Sequence, residues 1–206
     1  MAKSSEIYII DDDEGVRRAL NLLLRSAGFT PYTYASALQF LEECERLPPA
    51  CVIADVRLPG MNGLELTRRL KAMGLPHPII VITGHADVAI AVAAMKAGAV
   101  DFLEKPLDDA SLLKALLAAQ NTEGPAAPGG AKTRAAELIA GLSSREQDVL
   151  RWVVAGKANK VIAQGLGISP RTVEVHRANL MRKLGATSLS NLVQIAFAGG
   201  LDMAAH

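Results

Sequence analysis

Short apolar runs alternate strictly with helical patterns over the first 120 residues, and this alternation constrains the fold more than any other feature. The apolar runs are typical of buried strands, and an amphipathic helical pattern follows each one. In chain order the runs are Glu6–Ile10, Phe29–Tyr34, Val52–Asp55, Pro78–Ile82 and Ala99–Leu103. Because parallel strands are joined by crossover helices, five such units predict a parallel sheet with helices on both faces.

A different pattern follows after a break rich in proline and glycine. Residues 121–130 contain two prolines and three glycines, which is typical of a linker. After Leu142 only helical patterns occur, with a predicted capping box at Ser143 and Glu146 and a predicted N-cap at Asn159. We therefore expect an α/β domain with a five-stranded parallel (βα)5 sheet at residues 1–120. A linker with a short helical segment should follow at residues 121–140, and an all-α domain of four helices at residues 141–206.

Composition and charge exclude several classes of protein. Half of the residues are hydrophobic and about a fifth are charged, as in ordinary globular proteins. No apolar run approaches the ~18 residues of a membrane span, and no secretory signal is evident, so we expect a cytoplasmic protein that contacts no membrane. We expect Cys44 and Cys51 to be buried thiols. Residues 1–131 contain 12 basic and 16 acidic residues, whereas residues 132–206 contain 10 basic and 5 acidic residues. The excess of basic residues in the second part indicates nucleic acid as a partner.

Polar side chains at the ends of four predicted strands form the first candidate site: Asp11, Asp12, Asp55, Thr83 and Lys105. Because the carboxyl ends of parallel strands meet at one edge of a sheet, we expect them to converge. Grouped carboxylates repel one another unless a cation joins them, and Mg²⁺ is the expected cation. Asp55 would be a nucleophile that forms an acyl phosphate. Taken singly, each residue is more often a helix cap, a turn or a surface bend, so only their coincidence favours a site.

Residues 5–120 resemble the receiver domain of two-component response regulators, in the FixJ subfamily. The motifs that match receiver domains are Asp11-Asp12, D-V-R-L-P-G around Asp55, Thr83-Gly84 and Lys105-Pro106. The longer matches T-G-H-A-D-V and A-G-A-V-D-F-L-E-K-P resemble the FixJ subfamily in particular. The resemblance implies that Asp55 accepts phosphate from a sensor histidine kinase, and that Asp12, Asp55 and the backbone carbonyl of Arg57 bind Mg²⁺, with Asp11 acting nearby through water. It implies that Thr83 and Lys105 bind the phosphate, that Phe102 is the switch aromatic residue, and that a cis bond precedes Pro106. Asp13 is expected to be only a first-turn residue.

The predicted helix at residues 170–184 carries the second candidate site. A tight turn at Gly167 and a Ser169-Pro170 cap precede it, and basic side chains lie opposite its apolar face, which favours a helix-turn-helix. A protein-interaction domain with a solvated basic face is the alternative. Residues 141–200 resemble the LuxR-type helix-turn-helix of the NarL/FixJ family, through L-S-S-R-E and S-P-R-T-V. On that resemblance Glu174, Val175 and Ala178 face bases, and the phosphate or nearby contacts are Lys160, Arg171, Thr172, Arg177, Arg182 and Lys183.

These features together predict a phosphorylation-dependent transcription regulator with Mg²⁺ as cofactor. The expected partners are a sensor histidine kinase, double-stranded DNA, a second copy of the chain after phosphorylation, and RNA polymerase. The chain departs from the pattern of its LuxR-type relatives at two positions. Many relatives carry lysine or another base-reading residue where this chain has Glu174. Gly165 lies inside a predicted helix, where it would allow close helix packing. The alternatives are a phosphatase or phosphotransferase that uses Asp55 as nucleophile, and a receiver that acts without phosphate.

Overall fold

A computed structural model describes residues 5–84, 88–120, 130–186 and 189–201. The chain divides into two compact units: residues 1–86 with 96–124, which contain the five-stranded sheet, and residues 87–95 with 125–206, which contain the C-terminal helices. None of the helices in these ranges is long and apolar enough to cross a membrane.

The predicted alternation of strands and helices is confirmed in the first unit. The strands are β1 (Glu6–Ile10), β2 (Thr30–Tyr34), β3 (Cys51–Asp55), β4 (Ile79–Thr83) and β5 (Asp101–Glu104). The helices of this part of the chain are α1 (Glu14–Ser26), α2 (Ala37–Glu43), α3 (Gly63–Ala72), α4 (Val88–Ala97) and α5 (Asp109–Gln120). Ser36 caps α2 with its side chain, which accepts the N–H of Gln39.

The sheet is buried because its central strands are apolar on both faces. Every residue of β3 and β4 is buried, as expected for strands of a parallel sheet covered on both sides. Alternate residues of β1, β3 and β4 form one hydrophobic cluster with residues of α1 and α5. Cys44 and Cys51 are buried free thiols, as predicted.

The strand order β2-β1-β3-β4-β5, with every neighbouring pair parallel, creates the crevice in which a ligand would bind. The chain moves outward from β1 to β2 and then passes β1 again to reach β3. Where the order reverses in an open parallel sheet, the connections leave in opposite directions and a crevice opens beyond the carboxyl ends of the strands. Ile10 of β1 lies in register with Ala54 of β3. Asp11 and Asp55 therefore flank this crevice.

The chain after the linker forms helices and the short turns between them in the residues that the structure describes. Its helices are α6 (Gly130–Ala140), α7 (Ser144–Val154), α8 (Asn159–Leu166), α9 (Pro170–Leu184) and α10 (Leu189–Ala198). The four predicted helices correspond to α7–α10, and α6 extends the short helical segment that we expected inside the linker. Ala135 and Ile139 of α6 are buried, and α6 packs against α10, where a Cβ on Gly199 would lie 3.1 Å from the carbonyl oxygen of Ala135.

Of four local predictions for these helices, three are confirmed and one is wrong. The Ser143–Glu146 capping box is present at α7, and Ser169 caps α9 ahead of Pro170. The predicted N-cap at Asn159 is wrong: Ala158 occupies the cap position without a side-chain bond, because the Asn159 amide oxygen accepts a hydrogen bond from Arg177 instead. Gly165 does allow close packing, since a Cβ there would lie 2.6 Å from the ring of Trp152.

Candidate functional site

The carboxyl edge of the sheet brings together side chains from four different strand ends. Asp55 is the last residue of β3, Thr83 is the last residue of β4, and Asp11 and Lys105 directly follow β1 and β5. The backbone N–H of Lys105 donates to the carbonyl oxygen of Thr83 at 2.7 Å, which fixes the start of the loop after β5. The peptide bond between Lys105 and Pro106 is cis, as the sequence resemblance implied.

Lys105 joins the two buried carboxylates of the site. Its Nζ lies 2.6 Å from an oxygen of Asp11 and 2.8 Å from an oxygen of Asp55, and both acids are at most 5% exposed. Burial raises the pKa of Asp11 although the hydrogen bond from Lys105 opposes the shift. Burial acts to lower the pKa of Lys105, but its hydrogen bonds to Asp11 and Asp55 outweigh burial, and the pKa is raised. The lysine therefore supplies the cation that neighbouring carboxylates require.

Asp55 is held in place by the backbone around it. Its second carboxylate oxygen accepts a hydrogen bond from the N–H of Arg57. The first residue of α3, Gly63, lies against the Asp55 peptide, where a Cβ would overlap the carbonyl oxygen and lie 3.0 Å from the carbonyl carbon. Sequence reasoning missed Gly63, although its position three residues after Gly60 and directly after the helix cap Asn62 was the available signal.

The three consecutive acids after β1 have different environments. Asp11 is buried, and its carboxylate also accepts the N–H of Asp13 at 2.9 Å. Asp12 is exposed, and the structure records no side-chain partner for it among the described residues. Asp13 caps α1, with its carboxylate accepting the N–H groups of Gly15 and Val16. Asp13 is thus the N-cap of α1, one position before the first turn that the sequence predicts for it.

Thr83 and Phe102, the residues expected to change on phosphorylation, are both buried. Phe102 lies in β5 and pairs in register with Val81 of β4. Residues 85–87, which continue the matched motif after Gly84, lie outside the described residues.

The donor set fits a magnesium ion that keeps several waters. Within the described ranges no three His, Cys, Asp or Glu side chains converge closely enough to enclose an ion. Mg²⁺ is commonly bound through one or two carboxylates while it retains water. Asp12 offers an exposed carboxylate, and the loop that follows Asp55 offers the carbonyl of Arg57. All of these donors are hard oxygens, which suit Mg²⁺.

One face of α9 forms the second candidate site. Exposed side chains recur there at helical spacing, and the ones predicted to contact DNA are Arg171, Glu174, Val175, Ala178 and Arg182. Val175 is 50% exposed, which is unusual for its residue type. Arg171 and Glu174 form an ion pair of 3.0 Å on this face. Lys160 of α8 is also exposed.

Three other predicted DNA contacts have partners within the helical unit. Nη1 of Arg177 donates to Asn159 at 2.7 Å, and burial lowers the pKa of Arg177. Lys183 donates to Glu146 at 2.7 Å, and this bond, with those from Ser143, lowers the pKa of Glu146 to about 2. Thr172 shares a 2.8 Å hydroxyl contact with the cap residue Ser169. The structure therefore links α9 to α7 and α8 through residues that the sequence assigned to DNA.

Comparison with known proteins assigns both units. Residues 7–117 match the response regulator receiver domain, and residues 140–196 match the bacterial regulatory proteins of the luxR family. The chain is 47% identical over 202 residues to the transcriptional regulatory protein FixJ of Bradyrhizobium diazoefficiens, covering 98% of both chains. It is 45% identical to the response regulator protein TodT of Pseudomonas putida, covering 94% of this chain and 86% of that one.

Solved structures agree with this assignment. Full-length FixJ from B. japonicum matches with a TM-score of 0.56 at 47% identity, covering 96% of this chain and 98% of that one. The response regulator StyR matches with a TM-score of 0.54 at 40% identity, covering 93% of this chain and 98% of that one. These relatives are regulators and not enzymes, which argues against the phosphatase alternative. The chain belongs to the NarL/FixJ family of two-component response regulators, with a receiver domain followed by a LuxR-type DNA-binding domain.

Proposed function

We propose that Asp55 accepts a phosphoryl group from a sensor histidine kinase and that its phosphorylation controls DNA binding. The observation that carries the proposal is the pairing of Asp55 with Lys105 at the sheet crevice. A carboxylate oxygen of Asp55 attacks phosphorus, the P–N bond to the kinase histidine breaks as the O–P bond forms, and the released imidazole nitrogen takes up a proton. Lys105 is positioned to pair with the new phosphate oxygens.

The proposed Mg²⁺ ligands are the carboxylates of Asp12 and Asp55 and the carbonyl of Arg57, with Asp11 acting through water. A bound ion would neutralise the oxygens of the transferring phosphoryl group. Asp11 stays paired with Lys105 on the buried side of the site, whereas Asp12 faces solvent. Asp11 and Asp12 therefore have separate proposed roles: Asp11 pairs with Lys105, and Asp12 binds Mg²⁺ directly.

Thr83 and Phe102 are the proposed switch. A phosphate on Asp55 adds negative charge beside the end of the neighbouring strand, where the Thr83 hydroxyl would turn to donate to it. Phe102 on β5 then changes rotamer, and the face made by α4 and β5 is remodelled. Two copies of the chain pair through that face and bring their DNA-binding domains together.

We propose that α9 enters the major groove through its exposed face. Val175 suits contact with a thymine methyl group, and Glu174 suits acceptance of a hydrogen bond from the N4 amino group of cytosine. The proposed phosphate contacts are Lys160, Arg171, Thr172, Arg177, Arg182 and Lys183. RNA polymerase is a further proposed partner at the promoter.

The test is phosphorylation of the full chain by acetyl phosphate with Mg²⁺, followed by measurement of DNA binding. Asp55→Asn should abolish labelling. The matched control is Asp13→Asn, because asparagine caps a helix as well as aspartate and Asp13 lies outside the site. Stoichiometric labelling of Asp55→Asn would refute the acceptor assignment. DNA affinity that is the same with and without beryllofluoride would favour a receiver that acts without phosphate.

A further inference from the structure

Arg17, in the second turn of α1, bonds to the backbone of the acidic loop. Its Nη1 donates to the carbonyl oxygen of Asp11 at 2.7 Å and to that of Asp12 at 2.9 Å. One guanidinium nitrogen therefore joins two consecutive peptide groups of the loop that leads from β1 to α1. Arg17 belongs to none of the motifs that predicted the two candidate sites.

The two acids differ in how much they need this bond. The carboxylate of Asp11 is fixed by its own hydrogen bonds to Lys105 and to the N–H of Asp13. The carboxylate of Asp12 is exposed and has no recorded partner within the described part of the chain, so only its backbone can set its direction. The peptide group after Asp12 is held at both ends: Arg17 donates to its carbonyl oxygen, and its N–H, that of Asp13, donates to the Asp11 carboxylate.

We propose that Arg17 is a positioning residue that orients Asp12 for binding a divalent cation. The proposal rests on the assignment of Asp12 as a Mg²⁺ ligand. Residues that orient a metal ligand without touching the metal commonly change affinity by about 10–100-fold when replaced. Arg17 would act in this way through the peptide groups.

Loss of the Arg17 charge and loss of its two hydrogen bonds should change the Mg²⁺ affinity in opposite directions. A guanidinium near the site repels a divalent cation, so loss of its charge alone would strengthen Mg²⁺ binding. Loss of the two carbonyl bonds would weaken binding because Asp12 would sample other directions. The sign of the change in affinity therefore separates the two effects.

Arg18 provides a matched control one residue further along the same helix. Its guanidinium pairs with Glu14 on the exposed surface of α1, and the structure records no bond from it to the acidic loop. Arg18→Ala removes the same charge from the same helix, but it leaves the loop bonds intact.

The experiment measures the Mg²⁺ dissociation constant of the full chain by calorimetry for the parent, Arg17→Ala, Arg18→Ala and Arg17→Lys. We expect about tenfold weaker binding for Arg17→Ala and a change below about twofold for Arg18→Ala. Arg17→Lys keeps the charge but ends short of the guanidinium position, so we expect binding at least about threefold weaker than in the parent. This variant decides the question if Arg17→Ala does not fold.

A second readout separates positioning from a general loss of structure. The rate of acetyl phosphate labelling, measured against Mg²⁺ concentration, should need more Mg²⁺ in Arg17→Ala but reach the parent rate at saturation. Unchanged or tighter Mg²⁺ binding in both Arg17 variants, or a lower maximal rate at parent affinity, would overturn the proposal. Absence of saturable Mg²⁺ binding in the parent would instead overturn the metal assignment itself, and the proposal with it.

Discussion

Replacing Gly63 with alanine should displace the phosphate acceptor. The new Cβ would overlap the Asp55 carbonyl oxygen and lie 3.0 Å from the carbonyl carbon, against about 3.5 Å for an ordinary carbon–carbon contact. Both atoms belong to the backbone, so no side-chain rotation relieves the overlap. Overpacking of this kind costs about 1–3 kcal/mol, and the better helix propensity of alanine offsets at most ~1 kcal/mol of it.

We therefore expect the receiver domain of Gly63→Ala to lose about 1–2 kcal/mol of unfolding free energy. The initial rate of acetyl phosphate labelling should fall at least about tenfold, because displacements of even 1 Å at a reacting group are costly. Urea unfolding followed by circular dichroism measures the first quantity, and labelling at saturating Mg²⁺ measures the second.

The matched control is Gly84→Ala, because Gly84 also borders the site but a Cβ there would have no neighbour within 4 Å among the residues that the structure describes. The control should retain parental stability and a rate close to that of the parent. Parental stability and labelling in Gly63→Ala would refute the inference that close approach of α3 holds Asp55 in place.

Two predictions concern the DNA-binding domain. Gly165→Ala should lower the unfolding free energy of this domain by about 1 kcal/mol, because the cost of overlap with the Trp152 ring exceeds the gain in helix propensity. Unfolding can be followed through the fluorescence of Trp152, the single tryptophan of the chain. A variant more stable than the parent would contradict the prediction. The Glu146 pKa of about 2 lies below its usual 4.5, so the unfolded chain binds the proton first and the contribution of Glu146 to stability is lost as pH falls from 4.5 towards 2. Glu146→Gln should reduce the change of unfolding free energy between pH 4.5 and 2, measured from denaturation curves at each pH. An unchanged pH dependence would exclude Glu146 as the cause of this loss of stability.

The convergence of Asp11, Asp55 and Lys105 could be predicted because each stands at or just beyond the end of a predicted strand. Parallel pairing alone brings such strand ends together. Strand limits were less accurate: β5 begins at Asp101 rather than at Ala99, since an apolar run does not show where pairing starts. The strand order was not predicted, because right-handed crossovers permit several orders.

For residues that act through tertiary contacts, the local sequence did not show which group they would meet. Gly63 matters only because α3 begins against the peptide of Asp55, and Arg17 only because its side chain reaches back from α1 to two carbonyls of the acidic loop. Asn159 matched the preference of a helix cap, but a partner 18 residues away bonds its side chain. Local preference fails at such positions because a bond from another helix decides the conformation.

The bonds from Arg177 to Asn159 and from Lys183 to Glu146 affect how mutants of this regulator should be interpreted. A genetic screen for loss of promoter activity would recover substitutions along the whole of α9. Those at Arg171 or Arg182 would leave the purified domain folded, whereas those at Arg177 or Lys183 would also lower its melting temperature and its abundance in cells. Protein levels should therefore be measured before any α9 mutant is assigned a contact on the operator.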